Sequence, residues 1–195
     1  RQGNLMNRWA WVGDRYIFQA AVGGLNEKRE GGQTKHAAHE GSERYGIDME
    51  TTRLTAFAKN AFIINKAHDT NLALILSGSY HDADATYGHR TYDVRQKNGY
   101  ASLLFETDFT EAHKLSAGLS LNHDYYNQHY RLTHNTELAP QRLDEHETTP
   151  GAYAQYTFIP NEQWVVMGGM RVDHSSMYGT FVTPRFHIKY APNHV

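Results

Sequence analysis

Between residues 152 and 189, apolar and polar side chains alternate through three consecutive stretches joined by a tight turn and a Gly-containing link. Ala152, Ala154, Tyr156 and Phe158 fall on one face of the first stretch, and Tyr153, Gln155 and Thr157 on the other. In the second, Val166, Met170 and Val172 oppose Arg171 and Asp173. In the third, Pro184, Phe186, Ile188 and Tyr190 oppose Thr183, Arg185, His187 and Lys189. A strand has a side-chain period of two, so each stretch has one apolar wall and one polar, partly charged wall. Buried charge needs water or a partner, which makes the charged wall the wet one. An antiparallel sheet of this kind has two homes: a soluble sandwich or barrel turned apolar side inward, or a membrane barrel turned apolar side outward.

Composition narrows the field without choosing between them. The chain has 195 residues, enough for one domain with a core. No apolar run approaches the roughly 18 residues of a membrane-spanning helix. A net charge of -2 with both signs interspersed leaves no phosphate-binding footprint, so no nucleic-acid partner is expected. With no cysteine, disulfide scaffolds and thiolate metal sites are excluded. The low mean hydropathy suits a sheet in which only alternate residues are greasy.

Period two and turn chemistry divide the chain into about nine strands, joined by alternately short and long connections. The expected fold is all-β: antiparallel up-and-down strands forming part of a transmembrane β-barrel. Gly13-Asp14, the segment Lys66 to Thr70, Thr110 to Lys114 and Ile159 to Gln163 read as short turns. Arg29 to Asp48, Asp82 to Tyr92 and Tyr126 to Glu147 read as longer polar links at the opposite end. Such asymmetry, kept through successive hairpins, is characteristic of an outer-membrane barrel. Aromatic residues sharpen it: Trp9, Trp11, Tyr16, Phe18, Phe109, Phe158, Trp164 and Tyr190 sit near the short turns, and Tyr80, Tyr125, Tyr126 and Tyr178 near the long links. Two such belts match the girdles at the two membrane interfaces. The last residues, Tyr190 to Val195, stop as a turn signal begins, so residues 1–195 are expected to be a partial barrel domain from a longer protein.

The same stretches carry a resemblance. Gly151 to Phe158, then a Pro-Asn turn, then Gly168 to His174, then Thr183 to Pro192 resemble the barrel of TonB-dependent outer-membrane receptors. In that family a Tyr-rich strand precedes a Gly-x-Arg-x-Asp strand and a Thr-Pro-Arg strand that ends in a Tyr-x-Pro turn. The resemblance implies a barrel of about 22 strands around an N-terminal plug, and this chain matches no plug. It further implies import of a scarce small-molecule chelate (a ferric chelate, haem or cobalamin), with outer-membrane lipid around the barrel and the TonB complex acting through the plug. Transport, not catalysis, is implied, and no cofactor is expected. Arg171, Asp173 and Arg185 are expected on the lumen wall in a structural role.

The chain's 13 histidines raise the question of a metal or haem site. His81, Asp82, Asp84 and His89 read as one extracellular loop able to offer oxygen and imidazole ligands. Tyr125, Tyr126 and His129 belong to a second candidate region, together with His123, His134 and the run Asp144 to Glu147. Against a metal site stands the plainer fact that solvated loops collect His, Asp and Asn. No His-Glu-x-x-His pair, Gly-x-Ser-x-Gly elbow or phosphate-binding Gly loop is present. Two other functions fit the alternation less well. One is a surface β-sandwich binding module whose walls Leu72, Leu74, Leu76 and Leu115, Leu119, Leu121 face each other. The other is a barrel hydrolase with a lumenal Ser-His pair.

Overall fold

The computed structural model describes residues 1–33, 45–132 and 141–192. They form nine strands: β1 (Gln2–Val12), β2 (Tyr16–Gly32), β3 (Gly46–Asn65), β4 (Thr70–Tyr87), β5 (Arg90–Thr110), β6 (His113–Leu132), β7 (Gln141–Asn161), β8 (Trp164–Ser175) and β9 (Gly179–Tyr190). Each pairs antiparallel with its sequence neighbours in the order β1 to β9, leaving β1 and β9 as open edges.

The register settles which side chains share a face, because directly opposed residues point the same way. Leu74, Leu103, Leu119, Ala152, Val172 and Val182 form one row across six strands. Phe186 and Ile188 lie on that face, and Arg171, Asp173, Arg185 and Lys189 on the other. The leucine walls of β4 and β6 are therefore side by side in one layer and cannot face each other across a core, which overturns the sandwich reading. Nor is there an internal core among the described residues: Ala85 is the one buried apolar side chain, whereas Leu119 is 60% and Phe186 71% exposed. So much bare apolar surface on a single sheet calls for an apolar surrounding.

The sheet curls with its polar face inward. A Cβ added to Gly118 or Gly151, both on the polar face, would come within 2.5 Å of Tyr153 and 2.1 Å of Asp173, respectively. At Gly99 and Gly168, on the apolar face, it would meet nothing within 4 Å. Crowding inside and room outside mark the concave and convex sides. On the convex side the apolar band runs from Leu72 to Tyr80 in β4, Phe109 to Gly99 in β5 and Leu115 to His123 in β6. These spans match the roughly 9–11 residues a strand needs to cross a bilayer.

Connections differ from expectation at one end. The links 13–15, 66–69, 111–112 and 162–163 are short, as expected. At the other end, the expected Asp82–Tyr92 link is strand except for Gly88 and His89, where Gly88 takes φ +61° in a two-residue hairpin turn. Residues 29–32, 46–48, 126–132 and 141–147 likewise belong to strands, while 34–44 and 133–140 lie outside the described residues. The asymmetry lies in the strands themselves: β4 continues seven residues beyond Tyr80 but begins two residues before Leu72. Above the apolar band both faces are polar, so the alternation that identifies a strand disappears although its pairing does not.

The belts need one correction. Trp11, Tyr16 and Phe62 pack in sequence around the short-turn end, at 5.8 and 4.9 Å between rings, and Trp164 meets Tyr190 at 4.5 Å. At the opposite border Tyr80 and Tyr125 lie on the convex face, one residue apart in the register through Lys97. Tyr126 follows Tyr125 in the same strand and so points to the concave face, outside any belt.

Candidate functional site

The concave face carries two polar regions, one level with the apolar band and one above it. In the lower, Arg171 donates from Nε and Nη2 to Asp173 at 2.7 and 2.6 Å, and from Nη2 to Ser120 Oγ at 2.9 Å. Asp173 pairs with Gly151 in the register, and the missing side chain there leaves room for the fork. The Asp173 side chain is only 9% exposed, and the bidentate partner offsets the cost of burying it. Arg185 stands beside this lattice, opposite Gly169, with no ion pair or hydrogen bond among the described residues.

The upper region is built by the extensions of β3 to β6. One register row aligns Arg53, His81, Gln96 and Tyr126; another aligns Met49, Ala85, Tyr92 and Tyr130. The hydroxyls of Tyr92 and Tyr126 lie 3.2 Å apart, and Tyr126 donates to Gln128 Oε1 at 2.9 Å. Tyr92 and Tyr130 meet edge to face at 6.4 Å, and Tyr87 donates to Met49 Sδ at 3.7 Å. Four phenols thus share one concave wall. Its hydrogen bond to Tyr126 and its partial burial push the Tyr92 phenol up to about 12, so it is a neutral hydrogen-bonding group at ordinary pH. Below it, Asn98 donates to Asp124 Oδ1 at 2.8 Å and to Asn122 Oδ1 at 2.9 Å. His81 Nδ1 is buried and has no hydrogen-bond partner among the described residues, an unsatisfied polar atom at the base of the aromatic wall.

The residues expected to act together do not converge. Of the first group, His81 is on the concave face, Asp82 and Asp84 are on the convex face of the same strand, and His89 is in the β4–β5 turn. Of the second, Tyr126 is concave, whereas Tyr125 and His129 are convex, each a strand residue and not a loop residue. Asp82 is engaged by Arg95 at 3.3 Å and by the Tyr80 hydroxyl at 2.5 Å; His129 lies 3.7 Å from Asp93, and the Tyr125 and His146 rings meet at a tilt, 4.6 Å between centroids. Among the described residues no three His, Asp or Glu side chains come together as metal ligands, and His134 lies outside them. His123 and His174 bond to Thr148 and Thr180 on the convex face, and among the described residues no serine bonds a histidine, which leaves the hydrolase reading without its pair.

Arg53, Tyr87, Tyr92, Gln96 and Tyr130 were absent from the sequence-derived candidates. A signal for them existed: carrying the period of Leu103 and Phe105 back through β5 places Gln96 and Tyr92 on the polar face. Placing them beside His81 and Tyr126 requires the register.

A family model described as TonB dependent receptor-like, beta-barrel, matches residues 3–194. No curated protein matches the chain. Among solved structures, the chain is similar to the alcaligin outer membrane receptor FauA from Bordetella pertussis, at 14% identity and a TM-score of 0.75, covering 98% of this chain and 33% of that one. It is similar to the siderophore receptor PirA from Pseudomonas aeruginosa (9%, 0.68, covering 99% and 31%) and to the copper transporter OprC (10%, 0.67, covering 96% and 33%). At such identities the structural likeness shows the fold, and the chain spans about a third of the length of each.

Proposed function

The chain belongs to the TonB dependent receptor-like β-barrel family, and from that premise we propose that it is part of the wall of an outer-membrane import receptor, its apolar face against lipid and its polar face lining the lumen. The strand extensions above the apolar band rise on the extracellular side. The tyrosine wall with His81 and Arg53 forms part of the vestibule that receives a scarce small-molecule chelate, such as a ferric chelate, haem or cobalamin. The plug, and the TonB complex acting through it, belong to the remainder of the receptor. Arg171 and Asp173 hold the lumen wall, and Arg185 is a contact for what fills the barrel.

The observation that carries this reading is the hydrogen-bonded pair Tyr92 and Tyr126 on the concave face, level with the buried, unpaired His81 nitrogen. Aromatic faces offer stacking area, and neutral phenols and an imidazole offer hydrogen bonds, which suits a bulky polar ligand. A phenol held up to about 12 stays protonated and donates a hydrogen bond, which suits the polar rim of an intact chelate.

The test uses the full-length receptor in detergent, titrated with a panel of ferric siderophores, haemin and cobalamin while intrinsic fluorescence is followed. One ligand class should bind saturably, and Tyr126→Ala should weaken it by about tenfold, the equivalent of one lost aromatic contact. Binding unchanged in both Tyr126→Ala and His81→Ala would exclude this wall from the vestibule.

A further inference from the structure

Gly78 and Gly99 lie opposite each other in the register of β4 and β5, on the convex face. Nothing local asks for glycine at either: a Cβ on Gly99 would meet nothing within 4 Å, one on Gly78 would make an ordinary 3.6 Å contact, and neither has positive φ. This is the reverse of Gly151, where a side chain would collide. Glycine weakens a strand interior, and where the strand itself does not need it, it marks the close approach of something else. Around the pair, Ala20, Ala56, Ala58 and Ala101 extend the flat ground into a groove of about 500 Å³. Larger residues bound it on the short-turn side: Leu76 and Leu121 line it there, and Leu74, Leu103 and Leu119 form the next row.

On the other side the next convex residue of β5 after Gly99 is Lys97, between Tyr80 and Tyr125. Its Nζ stands 5.6 Å from the centre of the Tyr125 ring and forms no ion pair among the described residues. The nearest convex carboxylate, Asp82, is already taken by Arg95 at 3.3 Å. The acidic row Glu50, Asp84 and Asp93 lies four residues further along β5, about 13 Å away, beyond the roughly 8–10 Å over which exposed charges act in physiological salt. The positive charge at the head of the groove is thus free, aromatic-flanked and level with a membrane interface.

Resting on the receptor reading above, we propose that this groove is a lipid site: an acyl chain lies along Gly78 and Gly99 while the phosphate of the same outer-leaflet lipid sits on Lys97. An apolar groove alone would accept any chain of the surrounding bilayer. The cation at its head selects a phosphate-bearing lipid that carries no compensating amine, and lipid A has that chemistry.

The experiment takes the full-length receptor in outer-membrane preparations, confirms assembly by heat-modifiable gel mobility, delipidates it, and adds bisphosphorylated lipid A, dephosphorylated lipid A or dioleoylphosphatidylcholine before native mass spectrometry. Wild type should retain lipid A preferentially, by about fivefold over the dephosphorylated form, the worth of one lysine at an anionic surface. Lys97→Gln should abolish that preference, Gly99→Leu should release both forms, and Ala152→Leu, convex but outside the groove, should change neither. An assembled barrel that retains the three lipids equally, or in which Gly99→Leu binds as wild type does, overturns the lipid site alone. A dimer that Gly99→Leu dissolves overturns it in favour of a second copy. Failure of the wild type to assemble in the outer membrane instead overturns the receptor reading.

Discussion

The lower and upper halves of β4, β5 and β6 are the same three strands in the same register, yet they obey different rules. Below Tyr80, Gly99 and His123 the convex face is Leu72, Leu74, Leu76, Leu103, Leu119 and Leu121, and the concave face is mainly Ser and Asn with Tyr100, Ile75 and Leu104 among them. Above, the convex face carries Asp82, Asp84, Arg95, Asp93 and His129, and the concave face His81, Gln96, Tyr92 and Tyr126. Pairing and polar side-chain contacts such as Arg95–Asp82 and Tyr92–Tyr126 hold the upper half together; the lower half in addition gathers most of its leucines on the convex side. Side-chain alternation therefore reports the environment of a strand, and its absence does not report the absence of a strand.

The largest effect should come from violating the sorting. Leu119→Arg, on the convex lower face, should cost about 2–4 kcal/mol near the bilayer midplane and impair assembly, measured by outer-membrane fractionation and heat-modifiable mobility. If it assembles as wild type does, the convex face does not meet lipid. Next comes the concave lower face. Gly151→Ala should cost about 1–3 kcal/mol, because the new Cβ lands on the Arg171–Asp173 fork, whereas Gly99→Ala on the convex face should be neutral or stabilising by up to about 1 kcal/mol. Urea midpoints of the two proteins in the same detergent measure the contrast, and equal shifts would refute the assigned curvature.

The smallest effect belongs to the upper half. Burial, then Asp82 and Asp93, hold the Asp84 carboxyl above its ordinary value of 3.8. Its proton is bound more tightly in the fold, so its contribution is most favourable below pH 3.8 and is lost as pH rises through the raised folded value. Asp84→Asn should therefore raise stability at neutral pH by less than about 0.5 kcal/mol, since solvent screens an exposed side chain, and the gain should vanish on acidification. Midpoints measured across that pH range check the sign, and a loss at neutral pH would mean that Asp84 is stabilised as an anion.

The sequence by itself determined the strand type, the nine-strand count, the two faces of the lower half and the residues on each, including Leu119, Phe186, Arg171, Asp173 and Arg185. These follow from a period of two read where one face is apolar, a local property that needs no partner strand. It also carried the family, through the ordered motifs between Gly151 and Pro192. Only the tertiary structure decided that Asp82–Tyr92 is a hairpin of two strands, because above the apolar band both faces are polar and the period loses its contrast. Only the register decided that His81 and Tyr126 share a wall with Arg53, Tyr92 and Tyr130 while Asp82, Asp84, Tyr125 and His129 point the other way. A one-residue shift in pairing would exchange those sets. The curvature, too, was beyond the sequence: Gly151 and Gly99 are the same residue type, and what separates a required glycine from a vacant one is the distance to the neighbouring strand's side chains.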